Sequence, residues 1–127
     1  MTKDELIVEI GRLIVADRKA SARPWDAYSL VAYYDGGVSK LNGFRYRGAG
    51  PGEPATPEAF ELEVRIDELR EATGVEGKEP WRVCVFRLDR ATGKATADFV
   101  YDDPERWHVT PATAAEIAEN ARPRRVG

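Results

Sequence analysis

The chain reads as an α+β domain, in the order α-β-β-α-β-β-α, with one antiparallel sheet built from two hairpins and helices packed on one face. Three observations predict this. Leu6, Ile10, Leu13 and Ile14 recur at helical spacing near the N-terminus, with Ile7 widening the stripe. Two pairs of aromatic- and β-branched-rich runs are each joined through a glycine-containing turn. Two Thr-Pro pairs, Thr56-Pro57 and Thr110-Pro111, offer an N-cap followed by an N1 proline. At 127 residues the chain is most simply one domain spanning 1–127, large enough to bury a core.

The first helix is expected over 3–19. Thr2 and Glu5 form a capping-box pair, and Arg18 and Lys19 would complement the dipole in the last turn. Trp25 to Tyr34 reads as a strand, Asp35-Gly36-Gly37 as a tight turn, and Val38 to Arg47 as the returning strand. Its alternation falters at Asn42-Gly43, which predicts a bulge or bend. Residues 48–56 hold three glycines and two prolines and are expected to form a flexible loop.

Residues 57–73 carry two signals. Phe60, Leu62, Val64 and Ile66 alternate with Glu61, Glu63, Arg65 and Asp67 as a strand would, but the Thr-Pro start, the Gly74 stop and the Glu, Leu, Arg and Ala content favour a helix. At about 100° per residue, Leu62, Ile66 and Leu69 form its inner stripe. Phe60 and Val64 fall on another side, beside a row of Glu63, Asp67 and Glu71.

Glu79 to Asp89 and Lys94 to Tyr101 read as the second hairpin, closed at Thr92-Gly93. Ala95, Ala97, Phe99 and Tyr101 alternate with Lys94, Thr96, Asp98 and Val100, which assigns the first set to a core, and Pro104 ends the strand near Tyr101. Residues 111–121 form a short alanine-rich helix, and 122–127 a frayed tail.

Composition excludes several function classes. With 43% hydrophobic and 32% charged residues the chain belongs with soluble globular proteins, and its apolar runs are too short for a membrane span. One cysteine, no signal-peptide pattern and therefore no intrachain disulfide point to the cytoplasm. A net charge of −3 argues against nucleic acid as the primary ligand. His108 is the only histidine, so no multi-histidine metal site or histidine-paired nucleophile beyond that single residue can form. Cys84 lies in a strand between two valines and reads as packing. Gly48-Ala49-Gly50-Pro51-Gly52 lacks the GK[ST] ending of a phosphate loop. No enzyme activity, cofactor or metal is expected.

The carboxylates are the remaining feature. Asp98, Asp102, Asp103 and Glu105 crowd one hairpin end, as a solvated turn, as a divalent-cation site through Asp98 and Asp102, or as a docking edge for a basic partner. From Glu53 to Glu79 nine carboxylates stand against three cations. The four-residue spacing of Glu63, Asp67 and Glu71 is self-repelling, by a few tenths of a kcal/mol per pair.

The N-terminal helix, Pro24-Trp25 leading into the first strand, a helix leading to Glu79-Pro80-Trp81, and Thr92-Gly93-Lys94 followed by Asp98-Phe99-Val100-Tyr101-Asp102-Asp103 together resemble the YezG-type immunity proteins, antidotes to bacterial polymorphic nuclease toxins. The resemblance covers most of residues 3–107 and carries no catalytic motif. It implies a non-catalytic domain that binds a cognate toxin, with a basic nuclease domain as the expected partner. On that reading Glu63, Asp67, Glu71, Asp102, Asp103 and Glu105 steer the partner, with Phe60 or Trp107 as apolar anchors, while Trp25, Trp81 and Phe99 serve the core. The alternative is a cytoplasmic protein–protein adaptor or structural module without a toxin partner.

Overall fold

A computed structural model describes residues 1–35 and 38–123. The order is α1 (Lys3–Ala16), β1 (Ala27–Asp35), β2 (Val38–Tyr46), β3 (Glu53–Pro54), α2 (Phe60–Ala72), β4 (Val83–Asp89), β5 (Ala95–Val100), a 3-10 turn (Pro104–Trp107) and α3 (Ala114–Ala121). The five strands form one antiparallel sheet in the order β3-β2-β1-β4-β5. The predicted α+β class and both hairpins are therefore present. The two-residue β3 is an addition, within the loop expected to be flexible. The Gly36-Gly37 turn and the tail from 124 lie outside the described residues.

The helices do not share one face. Tyr28, Leu30 and Ala32 of β1 and Cys84, Phe86 and Leu88 of β4 pack with the inner stripes of α1 and α2. The alternate residues Val31, Tyr33, Val83 and Val85 pack with Phe44, Tyr46 and Ile117, Ala118 and Ala121 of α3. Side chains alternate across a strand, so β1 and β4 are buried on both faces and each face requires its own cover. Tyr46 fixes α3 to that second face: its hydroxyl meets Ser29 Oγ at 2.8 Å and donates to the Ala118 carbonyl at 2.5 Å.

Other boundaries shift for local reasons. The capping box at Thr2 and Glu5 forms as expected, but α1 stops at Ala16, so Arg18 and Lys19 lie beyond it. Asp17 ends the helix because its carboxylate accepts from Lys19 and Ala20 N–H, a local alternative to the next helical hydrogen bonds. No bulge occurs at Asn42-Gly43; pairing runs unbroken through Val31↔Asn42 and Leu30↔Gly43. Gly43 answers a close approach instead, because Tyr28 donates to the Ala55 carbonyl directly over it. At the end of the second core face, Arg122 is tied down by its bonds to the Gly48 and Gly50 carbonyls.

Candidate functional site

Helix α2 places the first group of site residues. Its inner stripe is fully buried, with Leu62 0%, Ile66 1% and Leu69 0% exposed, which turns Phe60 outward at 74% exposure and Val64 at 36%. Glu63, Asp67 and Glu71 are exposed beside them. They are not equivalent. Asp67 accepts from the Tyr34 hydroxyl at 2.5 Å, so part of its charge is already engaged. Burial, and then the Asp67 carboxylate, push the Tyr34 phenol far above its ordinary pKa. Arg70 lies 4.6 Å over the same tyrosine ring and donates to the Trp81 carbonyl, which places one cation beside the acidic row. Arg65 turns away from that row to pair with Glu61 and Glu68.

The second group follows β5. Asp102 and Asp103 are exposed, and Asp103 takes a left-handed backbone (φ 55°) before the buried Pro104 opens the 3-10 turn carrying Glu105. Trp107 is half-buried against the α3-side core rather than free, and His108 stacks on Tyr33 with ring centroids 5.3 Å apart. Tyr101 was expected on the core face. It is 48% exposed instead, since β5 ends at Val100 and the pleat no longer directs the next side chain. An exposed tyrosine beside Asp102 is thus an aromatic of the acidic corner that sequence reasoning missed. Pro104, three residues on, was the signal for it.

The sheet separates these groups. Tyr34, which meets Asp67, belongs to the face covered by α1 and α2; Tyr33, which meets His108, belongs to the opposite face. Adjacent residues of β1 thus meet Asp67 on one side of the sheet and His108, three residues after Glu105, on the other. Phe60 lies about 15 Å along α2 from Arg70, at a rise of 1.5 Å per residue, so the outer face of α2 is one extended station and the corner after β5 is a second.

The expected core aromatics behave differently from these anchors. Trp25 and Trp81 are buried, and Phe99, half-buried, stacks on Trp81 at 5.4 Å. Asp98 is ion-paired with Arg87, whose guanidinium also donates to the Ala121 and Asn120 carbonyls. Among the described residues no three of His, Cys, Asp or Glu are grouped as metal ligands would be. Cys84 is buried, and burial pushes its thiol up to about 12. Alkylation by iodoacetamide at pH 8 is therefore expected only after denaturation; stoichiometric labelling of the native protein would contradict this. No helix among the described residues is long and apolar enough to cross a membrane.

A cleft of about 270 Å³ opens where β2, β3 and the segment before α3 meet, lined chiefly by Phe44, Pro54, Thr56, Val109 and Pro111. Comparison with known proteins finds no matching protein-family model and no matching curated protein.

Proposed function

We propose that this protein is a non-catalytic immunity protein that binds a bacterial nuclease toxin and covers its active site or substrate groove. The observation that carries the reading is the outer face of α2, where Phe60 and Val64 are exposed among Glu63, Asp67 and Glu71. An apolar side chain left in water inside an acidic frame suits a partner with a basic, phosphate-holding groove. Electrostatic attraction accelerates the encounter, and burial of the aromatic lengthens the complex's lifetime. Asp102, Asp103 and Glu105, with Tyr101 beside them, form a second acidic station, and half-buried Trp107 contributes an edge at most.

The test is titration calorimetry against the catalytically disabled C-terminal nuclease domain of a toxin encoded beside this gene. Nanomolar, one-to-one, salt-sensitive binding supports the reading. No binding at micromolar concentration rejects that pairing and favours an adaptor. Within a complex, Phe60→Ala is expected to weaken affinity by about 2 kcal/mol, roughly thirtyfold. Glu63→Lys with Glu71→Lys is expected to slow association and flatten its salt dependence, while dissociation changes little. Stopped-flow association at two ionic strengths measures this, and unchanged rates would remove α2 from the interface.

A further inference from the structure

Among the described residues the sheet edge at β2 is only half covered. In the β1–β2 ladder, alternate residues of β2 turn their backbone groups either to β1 or outward. Gly43 and Arg45 are outward positions. Arg45 pairs with Glu53 of β3, while the Gly43 carbonyl accepts from Ala55 N–H and its N–H donates to Thr56 Oγ1. There the covering chain departs. The next outward residues, Leu41 and Ser39, lie opposite Ala32 and Tyr34 in β1. Those two β1 residues direct their own backbone groups the other way, to β4, as Tyr34 N–H does to the Arg82 carbonyl. The N–H and C=O of Leu41 and Ser39 therefore face outward with no hydrogen-bond partner among the described residues.

Two different surfaces flank this open edge. On the α3 side lies the apolar cleft of Phe44, Pro54, Val109 and Pro111, continuing the line where β3 stops. On the other side lies α2. Helix α1 sits over β4 and β5, with Gly11 against Leu88 and Phe86 and Lys3 over the Phe99 ring. Its neighbour α2 accordingly lies over β1 and β2. Asp67 meets Tyr34, whose ladder partner is Ser39, and Glu63 stands one turn earlier along that flank.

We propose that the open edge of β2 at Ser39 and Leu41 is a strand-docking site for an extended partner segment that alternates basic and apolar residues. Side chains of an added strand alternate between faces. One set would enter the cleft and the other would meet Glu63 and Asp67. Charge decides against a second copy of this chain: an isologous β2–β2 contact would bring each copy's acidic flank and Lys40 against their own counterparts. At the β5 edge the helix-covered side instead carries a cation, Lys3 over the Phe99 ring. This inference rests on the inhibitor reading only for the partner being a protein.

The test uses the full chain, isotopically labelled, and an eight-residue peptide alternating lysine and valine. Binding is expected to shift the Ser39 and Leu41 amide resonances together with that of Val109. N-methylation of the peptide's alternate edge-facing amides, which removes its donors, is expected to weaken it at least tenfold. A glutamate–valine peptide is expected to bind at least tenfold less tightly. Ser39→Pro removes an outward N–H without touching the bonds to β1, and is also expected to cost at least tenfold, whereas Ser39→Ala is expected to cost little. The N-methylated peptide decides the matter even if Ser39→Pro unfolds the chain. Shifts confined to α2 with N-methylation neutral, no binding at millimolar peptide, or concentration-dependent protection of Ser39 and Leu41 without peptide would each overturn the proposal. The calorimetry with the nuclease domain contains no peptide, so failure there leaves the edge result standing, and the reverse also holds.

Discussion

Replacing Gly43 with alanine is expected to destabilise the fold by about 3 kcal/mol or more, from steric overlap in a close-packed interior. A Cβ at this position would lie 1.9 Å from the Tyr28 hydroxyl oxygen and 2.8 Å from the Ala55 carbonyl oxygen. Neither neighbour can yield cheaply. The hydroxyl is buried and donates to that same carbonyl at 2.7 Å, and Ala55 N–H is bonded to the Gly43 carbonyl. Relief requires either losing the Tyr28 hydrogen bond or peeling the chain before α2 away from β2. A loss of about 3 kcal/mol corresponds to a melting temperature lower by roughly 10 °C for a domain of this size. Tyr28→Phe alone is expected to cost about 1–2 kcal/mol through the lost hydrogen bond. Combined with Gly43→Ala it is expected to recover at least about 1 kcal/mol, because the worst overlap is then gone. Strict additivity in that double-mutant cycle, measured by urea denaturation, would show that the hydroxyl is not the obstruction.

Replacing Asp17 with alanine is the second large effect, about 3–4 kcal/mol from hydrogen bonds to a charged acceptor. The residue is only 4% exposed. Its Oδ1 accepts from Lys19 and Ala20 N–H at 3.0 and 2.9 Å, and its Oδ2 from Ala59 N–H at 2.9 Å, with Glu58 N–H shared between the two oxygens. One carboxylate thus closes α1 and supplies the anion at the N-terminus of α2, where Ala59 has no side chain able to cap. Asp17→Ala leaves those N–H groups without their shared acceptor. Asp17→Asn keeps the shape but sets an amide NH₂ against either Ala59 or the Lys19–Ala20 turn, so an intermediate loss is expected. Amide hydrogen exchange distinguishes this from general destabilisation. The entry to α2, from Glu58 to Leu62, is expected to lose protection before the β1–β4 ladder does. Equal loss in both would assign Asp17 to the global fold alone.

Much of the candidate surface was legible in the residues. A helix that buries Leu62, Ile66 and Leu69 must present Phe60 and Val64 to solvent by period alone, and it does. Trp107 was not legible in this way. Whether an aromatic after a proline-initiated turn lies free or folds back depends on what covers the sheet beside it, here Val31 and Tyr33. The partnership of Asp67 with Tyr34 was likewise invisible, since it joins residues 33 apart in the chain.

The sequence by itself determined the local elements: the capped α1, the two hairpins, the inner stripe of α2 and the strand stop before Pro104. These follow from side-chain period, turn residues and caps, all of which act within a few residues. Only the tertiary structure decided that β1 and β4 are central, that α3 takes the opposite face from α1 and α2, and that Asp17 reaches Ala59. The run Val83-Cys84-Val85-Phe86 carried a trace of this, because a strand apolar on both sides needs cover on both. Which helix supplies each cover depends on how the surfaces fit once assembled, and no short window of residues contains that.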